Sequence, residues 1–435
     1  MPCKILAVKV LVLGGGGREH ALAWRLAQDS SVSEVITAPG NPGTAAVGRN
    51  LPVDLSSPEA ILELASREHV DLTVVGPEAP LERGVANTFR AAGRPIVGPS
   101  SRGAALECSK AHAKAFMARH KIPTARFVVC DDLASALAAV SGRDFGFPVV
   151  VKADGLAAGK GVTIAADRAE AEAAVRAAMV DQQFGSAGAR LVIEECLTGP
   201  EVSAFFLCDG EGAFPLGTAQ DHKRIFDGDR GPNTGGMGAF APSPLASSEL
   251  MADVALRIVG PVLKGHQAEG DAYYGFLYVS LMLTQDGPKV IEFNVRFGDP
   301  EAQAVMPLLG DGFAKLLMDS ATGGVGTWLY GMSRDVTVGV VIASRGYPTS
   351  SESGRVIEGL DRAAAVPDVT VFHSGTRQDD RGRIVTAGGR VLTVVGRGPS
   401  FETAMSAAYR GVEQISFDGM QYRRDIGKKA LQEIS

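Results

Sequence analysis

The sequence predicts an α/β protein whose N-terminal part is a parallel sheet. Apolar runs alternate with helical patterns from Val8 to Val97, and each of three glycine-rich turns (14–18, 39–43 and 76–80) follows the end of such a run. That alternation implies parallel strands with ligand loops at their C-terminal ends. Near Thr327 the pattern changes to short strands around one late helix, which marks a separate small α+β domain.

The first strand, Val8–Leu13, runs into Gly14-Gly15-Gly16-Gly17-Arg18-Glu19-His20 and then a helical pattern with Ala21, Leu22, Trp24 and Leu26. A glycine turn at a helix N-terminus offers bare backbone N–H groups and the positive end of the helix dipole, and Arg18 adds charge, so the turn suits a small anion. A dinucleotide-binding fold opens similarly. Here, however, the next strand, Glu34–Thr37, ends in Ala38-Pro39-Gly40-Asn41-Pro42-Gly43, with no acidic residue to hold a ribose. His20 reads as a first-turn residue rather than a catalyst. Ser57-Pro58-Glu59 opens a helix to Arg67, and strand Leu72–Val75 ends in Gly76-Pro77-Glu78-Ala79-Pro80. A helix from about Gly84 to Ala92 and a strand Pro95–Val97 complete this unit.

After Gly98-Pro99-Ser100, a helix over Ala104–His120 carries Glu107, Lys110 and Lys114. Asp131-Asp132 caps a helix through Val140. Pro148–Ala165 then reads as strand, small-residue loop and strand. Such a loop lays N–H groups against phosphate oxygens, and Lys152 and Lys160 supply charge. Gly159-Lys160-Gly161 leads into a strand, not the helix that a Walker loop requires. The plain alternative is a surface hairpin with two solvated lysines. After a helix over Arg168–Met179, strand Leu191–Glu195 ends in two carboxylates, Glu194 and Glu195, with Glu201 shortly beyond. That suits an adenine edge and ribose hydroxyls, though solvated acids fit the residue types equally well.

Gln220–Arg224 is dense in function-capable side chains. Pro232–Ala239 reads as a second anion-binding loop or a flexible connection. Along the strand Lys289–Asn294, period two sets Glu292 and Asn294 on one face and Ile291 and Phe293 on the other. One charged and one neutral oxygen donor suit Mg²⁺ shared with substrate phosphates. Arg296 has the same parity and could meet a carboxylate or phosphate. An edge strand with a solvated polar face is the alternative.

A chain of 435 residues suits two to four domains. Its net charge of -6 argues against a nucleic-acid or anionic-membrane surface as the main partner. Cys3, Cys108, Cys130, Cys196 and Cys208 show no CxxC spacing, which fits reduced thiols in a cytoplasm. No run has the ~18 uncharged apolar residues of a membrane span.

Taken in order, Gly14–Ala21, Ala38–Asn41, Val74–Glu78, Lys152–Gly161, Gln220–Arg224, Asn233–Gly238, Arg296–Glu301 and Asp418–Asp425 resemble the phosphoribosylamine–glycine ligase (glycinamide ribonucleotide synthetase) family of the ATP-grasp superfamily. His112 and Val295 stand where that family commonly has aromatic and Cys residues. The resemblance implies an N-terminal parallel-sheet (pre-ATP-grasp) domain at 1–108, which binds substrate. It further implies a two-lobed ATP-grasp α+β domain, with the small lobe and phosphate flap at 109–195 and the large lobe and Mg²⁺ site at 196–330. A small C-terminal α+β domain would cover 331–435. The implied reaction joins glycine to 5-phosphoribosylamine with ATP, through glycyl phosphate.

By the same resemblance, Lys110, Lys152, Gly159, Lys160 and Gly161 hold ATP phosphates. Glu194, Glu195, Cys196 and Leu197 flank the adenine, and Glu201 takes the ribose. Glu292 and Asn294 hold Mg²⁺ or Mn²⁺. Arg296, Asp221 and Lys223 have the catalytic roles of orienting glycine and the acyl phosphate. Gly15, Gly16, Arg18, Gly40, Asn41, Gly76 and Glu78, with Asn233, Thr234, Gly235 and Gly236, hold the phosphoribosylamine. Only small-molecule partners, a monomer and a cytoplasmic setting are expected.

Overall fold

The computed structural model describes residues 7–141, 144–155, 161–325 and 331–434. Gly159 and Lys160 of the flap lie outside the described residues. Strands β1 (Val8–Gly14), β2 (Val32–Pro39), β3 (Arg49–Asn50), β4 (Leu72–Val75) and β5 (Ile96–Val97) form a parallel sheet in the order β3-β2-β1-β4-β5. Side-chain alternation along β1 sends Leu11 and Leu13 to a core with Ile61, Leu64 and Phe89. Val10 and Val12 go to another core with Leu22, Leu26 and Phe313. Both faces are covered, as a parallel sheet requires. Leu13 pairs with both Ala38 and Val75, so the three glycine-rich turns leave the sheet at one rim.

A second, antiparallel sheet comprises β6 (Phe127–Cys130), β7 (Val149–Ala153), β8 (Val162–Ala165) and β9 (Leu191–Glu195), in the order β6-β9-β7-β8. Its core contains Val149, Val151, Ile193 and, from the Arg168–Met179 helix, Ala171 and Val175.

The remaining strands are β10 (Glu201–Asp209), β11 (Ala213–Asp221), β12 (Arg224–Phe226), β13 (Arg230–Asn233), β14 (Gly238–Ala241), β15 (Tyr274–Thr284), β16 (Gly287–Asn294), β17 (Val336–Ala343), β18 (Val369–His373), β19 (Thr376–Gln378), β20 (Ile384–Thr386) and β21 (Arg390–Gly398). Eight of them make one sheet, β16-β15-β10-β11-β14-β17-β21-β18. The C-terminal segment has its own core around Phe240, Val340, Val394 and Phe401. It is nevertheless not detached, because β17 pairs with β14 from Gly238↔Val340 to Ala241↔Thr337.

Three local expectations need correction. The helix over Ala104–His120 is two helices, Ser101–Cys108 and Lys110–Arg119. Ser109 breaks it: its hydroxyl accepts from the His112 amide at 3.0 Å and donates to Asp154 Oδ1 at 3.0 Å, a cap that competes with continued helix. Likewise, Gly84 (φ +83°) separates the helices Glu78–Glu82 and Val85–Ala91, so Glu78 starts a helix rather than lying in a loop. In β16, Ser280 pairs with Glu292 and Leu281 with Val290, which leaves Ile291 as the extra residue of a bulge. Val290 and Phe293 enter the core, while half-buried Ile291 does not share the Phe293 environment.

Candidate active site

The first cluster of charged groups comes from β7 and β9. Lys152 pairs with Val192, so Glu194 is its diagonal neighbour on the same face. Lys152 Nζ donates to Glu194 Oε2 at 3.0 Å and to the Ile291 carbonyl at 3.4 Å. Lys114 Nζ lies 2.9 Å from that same Glu194 oxygen. Burial pushes the Lys114 ammonium down to about 8, against the opposing pull of Glu194. Glu195 is engaged elsewhere: its carboxylate accepts from the Arg126 amide at 2.9 Å and from Arg126 Nε at 2.7 Å. Cys196 and Leu197 follow, both half-buried. Lys110 opens its helix because the chain breaks at Ser109, and its Nζ donates to the Gly155 carbonyl at 3.2 Å. Buried Gly161, across the flap, accepts from the Ala153 amide at 2.8 Å.

Glu292 and Asn294 stand opposite these lysines. Burial would raise the Glu292 carboxyl, but Lys223, Lys110, Lys152 and Arg296 together hold it below the usual range. It is therefore an ionised carboxylate. Asn294 Oδ1 accepts from Arg296 Nη2 at 3.1 Å, which fixes its amide. Among the described residues, no group of three or more His, Cys, Asp or Glu could hold a metal by itself. One carboxylate and one amide oxygen fit a divalent cation whose remaining ligands are phosphate oxygens and water.

Arg296 is held by two further acids. Its Nη2 lies 2.8 Å from Glu107 Oε1, and its Nε lies 3.3 Å from Glu78 Oε2. The second is a charge contact without hydrogen-bond alignment, since Nε has no aligned acceptor. Glu107 Oε2 accepts from the Val295 amide at 2.8 Å. Lys223 Nζ is 2.6 Å from Glu201 Oε2. Asp221 Oδ1 is buried with no hydrogen-bond partner. Burial first, then the nearby Glu301 carboxylate, raises the Asp221 carboxyl well above its usual range.

The glycine turn differs from the bare anion cradle that the sequence suggests. The Gly16 amide already donates to Glu19 Oε2 at 2.6 Å, and Glu19 Oε1 lies 2.6 Å from Arg18 Nε. Arg18 Nη1 reaches the Phe297 carbonyl at 3.3 Å. Gly15 has no room for a side chain, because a Cβ would lie 2.7 Å from the Gly40 carbonyl oxygen. Gly76 packs against Glu19. Asn41 is fully used by backbone: Oδ1 accepts from Gly43 N and Thr44 N, while Nδ2 donates to the Gly15, Gly16 and His373 carbonyls. It fixes the turn in place.

The loop after β13 closes the far side. Half-buried Asn233 ends β13, and Thr234 N donates to the Lys223 carbonyl at 2.8 Å. Gly235 N donates to Tyr347 Oη at 2.9 Å. Arg390 Nη1 donates to the carbonyls of Gly235 at 2.6 Å and Asp299 at 2.7 Å. Gly236 (φ +110°) needs its glycine, as a Cβ would meet Pro300 and Asp221. Sequence reasoning passed over Glu107, Lys114, Glu19 and Arg390. Glu107 and Lys114 carried a faint signal, as charges within a helix that must bury a face. Arg390 carried none, because its contacts span more than 90 residues of chain.

Lys152 on the β7–β8 hairpin and Lys110 on the neighbouring helix, both acting on Glu292 of β16 in the large sheet, give the two-lobed arrangement of an ATP-grasp fold. Three family models match: phosphoribosylglycinamide synthetase N domain over residues 8–107, its ATP-grasp (A) domain over 108–302 and its C domain over 337–429. The chain is similar to the phosphoribosylamine–glycine ligase of Xylella fastidiosa strain Temecula1, with 50% identity over 98% of each chain. It is also similar to that of Neisseria meningitidis strain Z2491, with 47% identity over 98% of this chain and 100% of the relative. The crystal structure of the Thermotoga maritima phosphoribosylamine–glycine ligase superposes with a TM-score of 0.83 at 35% identity, covering 96% of this chain and 100% of that one. The biotin carboxylase domain of Hydrogenobacter thermophilus 2-oxoglutarate carboxylase shares the fold, with a TM-score of 0.71 at 19% identity over 95% of this chain and 91% of that one. The chain belongs to the phosphoribosylamine–glycine ligase family. No helix among the described residues is long and apolar enough to cross a membrane.

Proposed function

We infer that the chain joins glycine to 5-phosphoribosylamine at the expense of ATP, giving glycinamide ribonucleotide, ADP and phosphate, the second step of de novo purine biosynthesis. One observation carries the division of labour. Arg296 touches Glu78 of the N-terminal unit and Asn294 of the metal strand together, so the amine substrate and the activated carboxylate would meet at one guanidinium.

ATP would lie between β7–β9 and β16. Lys110, Lys152 and Gly161, with the adjoining Gly159 and Lys160, would hold its phosphates. Glu194, Glu195, Cys196 and Leu197 would flank the adenine, and Glu201 would take the ribose. Glu292 and Asn294 would hold Mg²⁺, or Mn²⁺ in its place. When bound, the cation neutralises charge on the transferring phosphoryl group.

A glycine carboxylate oxygen attacks the γ-phosphorus and ADP leaves, forming glycyl phosphate. The nitrogen of phosphoribosylamine then attacks the glycyl carbonyl carbon, loses a proton and expels phosphate. Arg296 and Lys223 orient the anionic groups. Asp221 Oδ1, buried without a protein partner, would meet the glycine ammonium, whose charge would draw back the carboxylate form that burial and Glu301 disfavour. Gly15, Gly16, Arg18, Gly40, Asn41, Gly76 and Glu78 would shape the phosphoribosylamine site with Asn233, Thr234, Gly235 and Gly236. No protein nucleophile is required, so rate comes from positioning and charge neutralisation.

The single chain is proposed as the working unit. The unpaired cysteines Cys108, Cys130, Cys196 and Cys208 support a reducing, cytoplasmic setting. Carboxylate-¹⁸O glycine tests the chemistry. The intermediate requires ¹⁸O in the released phosphate, and unlabelled phosphate would exclude glycyl phosphate.

A further inference from the structure

In the cleft between β9 and β16, two lysines converge on one carboxylate oxygen. Lys114 and Lys152 both approach Glu194 Oε2, at 2.9 and 3.0 Å, while Glu194 Oε1 is buried with no partner. The two lysines are anchored differently. Lys114, 2% exposed, also donates to Thr124 Oγ1 at 2.7 Å, and that hydroxyl donates to the Val290 carbonyl of β16 at 2.6 Å. The Phe127 ring lies 5.9 Å from the same ammonium. Among the described residues, Lys152 donates, apart from Glu194, to the Ile291 carbonyl at the longer distance of 3.4 Å. Lys114 is therefore tied to both lobes by two short contacts, whereas Lys152, also buried, has one short contact and one long one.

We propose that Lys114 is a positioning residue for the nucleotide: it keeps hold of Glu194 Oε2 when Lys152 turns to the phosphates, so that the unpartnered Glu194 Oε1 faces the exocyclic amino group of the purine. The inference rests on the nucleotide reading of this cleft. Without Lys114, moving Lys152 to a phosphate would strand a buried carboxylate, which is strongly unfavourable. Glu194 would then retain Lys152, which weakens ATP binding. A charged acceptor at this place also selects against 6-oxopurines, which present an oxygen where adenine presents a donor.

The test compares the unaltered protein with K114M and K114R, titrating AMP-PNP with Mg²⁺ by calorimetry and measuring turnover with ATP and with GTP. Removing one charge-assisted contact predicts ~10- to 100-fold weaker AMP-PNP binding in K114M, a similar fall in ATP-over-GTP preference and a glycine KM moved by less than about twofold. K114R should restore most of both. An unchanged AMP-PNP affinity and ATP/GTP ratio in folded K114M would overturn the proposal, as would a fall in kcat alone. If K114M does not fold, T124V, which removes one anchor of Lys114, carries the same readouts: weakening of ~3-fold or more supports the proposal, and none overturns it. Failure of the unaltered protein to bind AMP-PNP would instead overturn the nucleotide reading itself.

Discussion

Glu107→Gln perturbs the site through a residue that need not touch substrate. Glu107 lies on the Ser101–Cys108 helix, is 9% exposed, and divides its two oxygens between Arg296 Nη2 and the Val295 amide, each at 2.8 Å. Glutamine has one oxygen, so one donor loses its acceptor and the charge opposing Arg296 disappears. Removing a charge-assisted hydrogen bond costs about 1.5–3 kcal/mol. The ~3–5 kcal/mol of a fully stranded buried charge does not apply, because Glu78 remains 3.3 Å from Arg296 Nε. At ~1.4 kcal/mol per decade, the expected loss in kcat/KM is ~10- to 150-fold. It should fall mainly on kcat, since Arg296 also sets the Asn294 amide. Steady-state phosphate release, with ATP, glycine and phosphoribosylamine each varied in turn, measures it, and far-ultraviolet circular dichroism checks the fold. A folded E107Q enzyme with kcat within about twofold of the unaltered protein would refute the claim that Glu107 sets Arg296.

Other outcomes follow from the same geometry. Glu292→Ala should fold normally yet lose ~100-fold or more of its Mg²⁺-dependent turnover, and near-normal turnover would remove Glu292 from the metal site. Asn41→Ala removes a helix cap, at about 1 kcal/mol, together with the ties to Gly15, Gly16 and His373. The KM for phosphoribosylamine should rise ~10-fold while AMP-PNP affinity holds; equal losses in both would point to general unfolding. Burial holds His222 and His373 down to about 4 and His20 to about 3, so all three are neutral in the fold. Each therefore contributes stability that is complete above 6.5, the unfolded value, and is lost as pH falls toward the folded value. His222 alone should forfeit ~2 kcal/mol between pH 7 and 5, read as a lower urea midpoint; an unchanged midpoint would contradict its burial as a neutral ring.

What was legible in the sequence was periodic or local. The β1 run into Gly14–Arg18 fixed a strand, a turn and a helix, because apolar alternation and glycine act within a few residues. Period two also brought Glu292 and Asn294 to one cleft, although the bulge at Ile291 shifts the core-facing phase. Charges hidden by tertiary packing were not legible. Glu19 looks like an ordinary first-turn acid, yet it occupies the Gly16 amide that the glycine turn seemed to leave free. Lys114 and Glu107 read as helix charges until β9 and β16 fold against them. The continuity of the C-terminal segment with the large sheet depends on the pairing of β14 with β17, residues about a hundred positions apart, and no local pattern encodes that.

The most direct test of the central claim is phosphate release from ATP and Mg²⁺ in the presence of glycine, with and without phosphoribosylamine generated from ribose 5-phosphate and ammonia. The account predicts sustained release only when both substrates are present, matched one for one by a glycyl amide of the ribosylamine. Release supported by bicarbonate instead of glycine, or no release under either condition, would contradict it.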